Sequence, residues 1–281
     1  METVTTAAGM HDLAHAARGR GERLGLVPTM GALHAGHLSL VERARAECGV
    51  VALSIYVNPL QFGPSEDFQR YPRDLRRDGE QARAAGVDIL FAPAEGEIHV
   101  GGHRTFVEVT GMQDVLCGRS RPGHFRGVTT VVAKLLAIVR PHAAYFGEKD
   151  AQQVRIIRRM ARDLHDEAAI VACPTVREQD GLALSSRNAY LSAEERRAAP
   201  VVRRALLAAA AGAAAGERDV ARLVALVRTT AAAEPLGRID YVEAVDDETL
   251  APVTTLRGRT LLAAAVWFGR ARLIDNLLLE A

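Results

Sequence analysis

The chain has 281 residues, and its 35 basic and 34 acidic side chains leave a net charge of +1, which excludes a broad electrostatic footprint for nucleic acid or an anionic membrane. Three scattered cysteines argue against a disulfide framework and suit a reducing compartment; no charged-then-apolar leader and no membrane-length apolar run stand in the sequence. A soluble cytoplasmic chain is expected, long enough to bury roughly three quarters of its unfolded surface in one large domain or two smaller ones.

In chain order, the first strong signal is the apolar run of residues 24–27, typical of a buried parallel strand, with Leu38, Val41, Ala44 and Cys48 following at helical spacing. Between them lies the corner Pro28-Thr29-Met30-Gly31-Ala32-Leu33-His34-Ala35-Gly36-His37. Free N–H groups and the positive end of a helix dipole favour an anion at such a corner. Gly31 and Gly36 lack a Cβ that would block the approach of a phosphate, and His34 and His37 add side-chain donors. Two histidines three positions apart are also half of a zinc site, or ordinary polar residues at a helix start. The zinc version lacks ligands, because Cys48, Cys117 and Cys173 occur singly with no Cys-x-x-Cys.

Residues 50–57 read as a β-branched strand ended by Asn58-Pro59, residues 75–85 as a helix, and residues 88–91 as a short strand ending near Pro93. A helix over 127–139 presents Val128, Val131, Val132, Leu135 and Val139 on one face, and a short strand at 143–146 follows it. A helix over 151–164 presents Val154, Ile157, Ala161 and Leu164, and residues 169–173 form the next strand. This βαβ alternation predicts a parallel sheet covered by helices. Ligands bind over the carboxyl ends of such strands. Gly147-Glu148-Lys149-Asp150-Ala151-Gln152-Gln153 stands at one of those ends. There Lys149 meets phosphate as a point charge, while Asp150 either accepts from ribose hydroxyls or caps the following helix.

The composition changes after Cys173-Pro174. Arg177-Glu178-Gln179-Asp180-Gly181-Leu182-Ala183-Leu184-Ser185-Ser186-Arg187-Asn188 reads either as a mobile phosphate clamp or as an ordinary loop with a serine cap. An alanine-rich helical tract over 193–215 carries the stripe Val201, Ala205, Ala208 and Gly212, and a second helix covers 219–233. Strands at 239–245, 260–268 and 273–279 complete a small, antiparallel second domain. The expected division is 1–175 for a nucleotide and acid-binding domain and 176–281 for a smaller C-terminal α+β domain that closes over the active site.

The corner at residues 28–37 resembles the His-x-Gly-His nucleotidyltransferases, and together with the other blocks it resembles the pantoate–β-alanine ligase family in particular. Those blocks are Tyr56-Val57-Asn58-Pro59-Leu60-Gln61-Phe62-Gly63, Glu66-Asp67-Phe68, Tyr71-Pro72-Arg73, His124-Phe125-Arg126-Gly127-Val128, Phe146-Gly147-Glu148-Lys149-Asp150, Ser185-Ser186-Arg187-Asn188 and Leu273-Ile274-Asp275-Asn276. They stand in the family's order and span nearly the whole chain. The resemblance implies a Rossmann-like parallel sheet with helices on both faces. It also implies a two-step reaction: ATP and pantoate give pantoyl adenylate and pyrophosphate, and β-alanine then attacks the anhydride to give pantothenate and AMP.

Carried over residue by residue, the resemblance assigns nucleotide binding to Met30, Gly31, Ala32, Leu33, His34, Ala35, Gly36 and His37, to Gly147, Glu148, Lys149 and Asp150, and to Val176, Leu184, Ser185, Ser186 and Arg187. Catalysis falls to His37, as the acid assisting pyrophosphate departure, with His34, Lys149, Ser185 and Arg187. Pantoate is assigned to Gln61 and Gln153, with Asn58 beside them. Magnesium is expected to arrive on ATP without a dedicated protein cage, no prosthetic group is expected, and a homodimer is implied. Three departures from the family pattern stand out. Arg77 replaces an acidic residue and leaves only Asp78 near the metal, Leu184 stands where methionine is common, and Trp267-Phe268 is bulkier than usual. Two other readings remain open: an enzyme like a phosphopantetheine adenylyltransferase, and a non-catalytic nucleotide-binding module. A tRNA-charging relative would need a basic face or an added domain, and neither is visible.

Overall fold

The computed structural model describes residues 1–64, 66 and 68–281; Asp67, part of the Glu66-Asp67-Phe68 block, lies outside the described residues. In chain order its first elements are β1 (Glu2–Val4), α1 (Ala7–Gly19), β2 (Leu24–Thr29), α2 (Ala35–Glu47), β3 (Val50–Ile55), α3 (Leu75–Ala84), β4 (Ile89–Phe91) and α4 (Glu95–Ile98). Then come α5 (Cys117–Ser120), α6 (His124–Val139), β5 (Ala143–Gly147), α7 (Ala151–Asp163) and β6 (Ala169–Cys173). The chain divides into two units. One holds residues 1–113, 121–148 and 156–174, and the other holds residues 114–120, 149–155 and 175–281.

The first unit is built on a parallel sheet with strand order β1-β4-β3-β2-β5-β6. Both faces of β2 are buried, as a parallel strand requires. Val27 packs with Leu40, Val41 and Ala44 of α2, while Leu24 and Leu26, fully buried, point to the opposite face. α1 and α6 pack on each other and on β2. The chain leaves β2 toward β3 on one side and returns as β5 on the other. This reversal is the topological switch point at which open α/β sheets bind ligands. The sequence predicts no element before residue 24; β1 and α1 occupy that stretch, and α1 turns inward only Met10, Ala14 and Ala17. A stripe made mostly of alanine gives little hydrophobic contrast in sequence.

The second unit contains α8 (Ala193–Ala198), α9 (Val201–Ala214), α10 (Val220–Ala232), β7 (Gly237–Asp246), β8 (Arg259–Phe268) and β9 (Ala271–Glu280). The three strands form an antiparallel sheet, β7-β8-β9, with Trp267 and Phe268 at the end of β8. The alanine-rich tract is two helices, not one. Pro200, which has no N–H to donate, separates them. The buried stripe of α9 is Val201, Val202, Ala205, Leu206, Ala209 and Ala213, so Ala208 and Gly212 of the expected stripe lie beside the buried face. This unit also includes two pieces from before residue 175. Cys117 Sγ lies 3.2 Å from the Tyr241 hydroxyl, and Arg155 Nη2 donates to Asp247 Oδ1 at 2.5 Å. Pairings across such sequence separations leave no local pattern. No helix among the described residues is long and apolar enough to cross a membrane.

Candidate active site

In the first unit, the segments following β2, β3 and β5 leave the same edge of the parallel sheet from adjacent strands. The segment after β2 makes a tight corner. Thr29 Oγ1 donates to the Ser54 carbonyl at 2.8 Å and accepts from Gly31 N at 3.1 Å. Gly31 and Ala32 then take left-handed backbone angles, φ +83° and +51°, which cost a residue with a Cβ about 1–2 kcal/mol.

Asp78 of α3 holds this corner. It is 3% exposed; Oδ2 accepts from Ala32 N at 2.8 Å and Oδ1 from Leu33 N at 2.9 Å. A Cβ on Gly31 would lie 2.8 Å from Asp78 Oδ2. Gly31 therefore makes room for the carboxylate. The sequence offers Asp78 only as a remaining neighbour of magnesium, and its partners, 46 and 45 residues away, explain why its hold on the corner is not legible there.

The corner delivers His34 to the N-cap of α2. His34 Nδ1 accepts from Gly36 N at 3.1 Å, and His37 Nδ1 accepts more weakly from His34 N at 3.4 Å. The Gly36 N–H is thus committed to His34. The two rings lie against each other at a tilt of 33°, with centroids 4.1 Å apart. With Nδ1 accepting, a neutral imidazole carries its proton on Nε2. Both rings stand at the positive end of a helix.

After β3, Asn58 caps the short 3₁₀ turn Pro59–Gln61. Asn58, expected on the substrate, is only 1% exposed and its amide is committed: Nδ2 donates to the Gly127 carbonyl at 3.0 Å and to Gln61 Oε1 at 3.1 Å, while Oδ1 accepts from Leu60 N at 3.3 Å. Gln61 is held on its main chain as well, its carbonyl accepting from His124 Nδ1 at 2.8 Å and Arg121 Nη2 at 3.3 Å. Arg121 is in turn fixed by Glu66 at 2.7 and 2.5 Å. Gln61 Nε2 reaches Met30 Sδ at 2.9 Å, which links the β3 turn to the histidine corner. Gly127 brings α6 against this turn: a Cβ there would lie 2.3 Å from the Leu60 carbonyl oxygen and 2.6 Å from Gln61 N.

β5 ends at Gly147, and Glu148 begins the 3₁₀ turn Glu148–Asp150. Lys149, Asp150 and Gln153 cluster with the second unit. Lys149 Nζ lies 3.6 Å from Asp150 Oδ2, and the Lys149 carbonyl accepts from Asn276 Nδ2 at 3.1 Å. Gln153 is half-buried in the first turn of α7. Its neighbour Gln152 is buried and has a structural job, accepting from Cys117 N at 3.0 Å and donating to the Val115 carbonyl at 2.8 Å.

The other segment of interest in the second unit doubles back on itself, Leu184 N donating to the Val176 carbonyl at 3.0 Å and Glu178 N to the Leu182 carbonyl at 2.8 Å. Arg177 grips Asp275 through two bonds of 2.7 and 2.8 Å, and Arg196 pairs with Asp180 at 2.6 Å and with Glu178. Ser185 caps the 3₁₀ helix Ser186–Tyr190, its Oγ accepting from Arg187 N at 3.3 Å. Among the described residues, no three His, Cys, Asp or Glu side chains gather to hold a metal ion.

The family model for pantoate–β-alanine ligase matches residues 2–278. The chain belongs to the pantoate–β-alanine ligase family. It is 55% identical over 280 residues to the pantothenate synthetase of Moorella thermoacetica, covering 100% of this chain and 99% of that one. Its fold matches the crystal structure of pantothenate synthetase from Thermus thermophilus with a TM-score of 0.93 at 50% identity, over 99% of both chains. It matches that of the pantoate–β-alanine ligase from Francisella tularensis, complexed with beta-gamma ATP and β-alanine, with a TM-score of 0.80 at 35% identity, over 99% of this chain and 97% of the other. As a pantoate–β-alanine ligase, the chain is an ATP-dependent ligase, and the parallel-sheet unit with its small antiparallel partner is the architecture expected for it.

Proposed function

We propose that this chain condenses pantoate with β-alanine through a pantoyl-adenylate intermediate, with the first step at the histidine corner. A carboxylate oxygen of pantoate attacks the α-phosphorus of ATP, and the bond to pyrophosphate breaks. The amine of β-alanine then attacks the acyl carbon, and AMP leaves with the electron pair of the C–O bond. The observation that carries this reading is the junction in the first unit. Two imidazoles stand at the N-terminus of α2, where negative charge is stabilised, and the Gln61 amide reaches the same corner through Met30.

In this reading His34 and His37 neutralise charge developing on the phosphates, and His37 assists the departure of pyrophosphate. Lys149, Ser185 and Arg187 act on phosphate, Asp150 on ribose and the Val176 backbone on adenine, with Gly147, Glu148, Leu184 and Ser186 completing the nucleotide contacts. Gln61 and Gln153 hold pantoate, and Asn58 serves by orienting Gln61. Magnesium enters as the counter-ion of ATP, held chiefly by phosphate and water; both Asp78 oxygens are already occupied by backbone N–H groups. The active species is a homodimer, the commonest closed assembly.

The test is a single-turnover assay with ATP and pantoate, followed by addition of β-alanine. Pyrophosphate should appear in the first phase and AMP only in the second. Lys149→Ala should slow the first phase by roughly 100-fold, the scale of losing one electrostatic stabiliser. AMP release without pantoate, or an unaffected first phase in Lys149→Ala, would overturn the assignment.

A further inference from the structure

Behind Gln61 lies a row of polar side chains, two of which, His99 and Lys134, belong to no block that resembles the family. Lys134 of α6 places Nζ 2.7 Å from the Ile98 carbonyl and 3.1 Å from His99 Nδ1. His99 Nε2 lies 2.9 Å from Asn58 Oδ1, and Asn58 Nδ2 donates to Gln61 Oε1. All four residues belong to the first unit.

The direction of these bonds is fixed from both ends. Asn58 cannot be turned over: its Nδ2 faces the Gly127 carbonyl, which only accepts, and its Oδ1 faces Leu60 N–H, which only donates. Oδ1 therefore needs a donor from His99, and Nδ2 needs an acceptor from Gln61. At the other end the Lys134 ammonium has donors alone, so His99 Nδ1 must accept and the ring proton must sit on Nε2. Burial, with Lys134 and His103 adding to it, pushes His99 down to about 4, so at neutral pH the ring has one proton to place. Its plane is held by packing against Tyr56 and His103, at centroid distances of 5.9 and 4.9 Å.

We propose that Lys134 and His99 are positioning residues for the acid substrate: a one-way chain of hydrogen bonds from Lys134 through His99 and Asn58 fixes Gln61 with its oxygen inward and its NH2 outward. The site then offers donors alone at this point. It selects a carboxylate or hydroxyl oxygen and disfavours an amide or amine presenting N–H. The present partner of Gln61 Nε2 is the Met30 thioether, a weak acceptor that a substrate oxygen displaces readily. This inference rests on Gln61 holding pantoate, and the experiment separates the two ideas.

Steady-state kinetics with ATP, pantoate and β-alanine varied in turn are measured for Gln61→Ala, His99→Leu, His99→Gln, Lys134→Met and the double variant Gln61→Ala/His99→Leu. His99→Leu should raise the pantoate KM roughly 10-fold, the effect of losing a hydrogen bond and stranding its partner, and leave the ATP KM unchanged. His99→Gln, which can accept from Lys134 and donate to Asn58, should recover to within about threefold of wild type. Lys134→Met should lie between them. The double variant should be no worse for pantoate than Gln61→Ala, since His99 acts through Gln61.

If Gln61→Ala leaves the pantoate KM unchanged, the acid-site reading of Gln61 fails. If Gln61→Ala raises it while His99→Leu does not, or if the two effects add, the positioning chain fails. Ring nitrogen NMR of histidine-labelled wild-type protein, with the His99 signal assigned from its loss in His99→Gln, gives a readout independent of variant folding. A proton on Nε2 is expected at pH 7, and a proton on Nδ1 would overturn the chain.

Discussion

The corner at residues 30–37 and the doubled-back segment at 175–188 both carry motif residues, yet they are braced by opposite chemistry. The corner is held from beneath by one buried carboxylate that accepts two main-chain N–H groups. The segment is held from the side by arginine–carboxylate pairs, Arg177 with Asp275 and Arg196 with Asp180 and Glu178. A main-chain brace fixes φ and ψ directly and is out of reach of salt. Of the side-chain pairs, Arg177–Asp275 is largely buried and sheltered from salt, whereas the pairs of Arg196 are partly exposed and counter-ions screen them. The corner is braced through its main chain, and the segment through its side chains.

The sharpest way to break this contrast is Asp78→Ala. It strands one buried and one part-buried N–H donor and leaves Ala32 in a left-handed conformation without support, so a loss of about 3 kcal/mol is expected. A melting temperature lower by roughly 6–12 °C should result for a chain of this size, and adenylate formation should fall roughly 100-fold as the histidines lose their alignment. A variant melting within a degree of wild type would show that the corner does not depend on its carboxylate.

A smaller effect is expected at Arg177→Met. Asp275 is 4% exposed and loses its bidentate partner, though the Asn276 N–H still reaches it at 2.8 Å. The cost should be about 2 kcal/mol, seen as a shift of the denaturant midpoint. If Arg177→Met costs as much as Asp78→Ala, the two regions are braced alike after all.

The smallest effect belongs to Arg196→Ala, within about 1 kcal/mol and shrinking in 1 M salt. It also has a signature in acid. The hydrogen bond from Arg196 is the main cause holding the Asp180 carboxyl below the usual carboxylate range. The pair's contribution is therefore complete above about pH 4 and is lost as pH falls through the lower folded value. Thermal melts of wild type and Arg196→Ala should differ at pH 7 and converge toward pH 2. A gap that stays constant would remove the ion pair from the account.

How much of this was legible in sequence depends on the range of each interaction. The strand at 169–173 is found at the residues expected, because a short apolar run bounded by polar residues declares itself locally. The histidine corner lies between a strand and a helix as expected, and Ser185 caps a short helix, one of the two readings its loop allowed; the short turn that ends at Gln61 was not expected. Asp78, His99 and Lys134 were not recognisable for what they do. Asp78 sits in a helix rich in charge, and Lys134 in the apolar C-terminal half of another; their partners lie 35 to 46 positions away. The β-structure of the sheet creates those meetings, and no spacing in the chain announces them. The residues proposed to touch substrates sit in short motifs because they share a loop, whereas those proposed to aim them are scattered because they arrive from different strands and helices.

Gly127 has a consequence for anyone who would redesign this fold. Of the sixteen residues of α6, many could be repacked by exchanging one side chain for another of similar volume. At Gly127 the neighbour is main chain, and a methyl group would overlap the Leu60 carbonyl; no rotamer change can relieve that. The spacing between α6 and the Gln61 turn is therefore set by covalent geometry, and it is a dimension that a thermostabilised or specificity-altered descendant of this enzyme has to inherit unchanged.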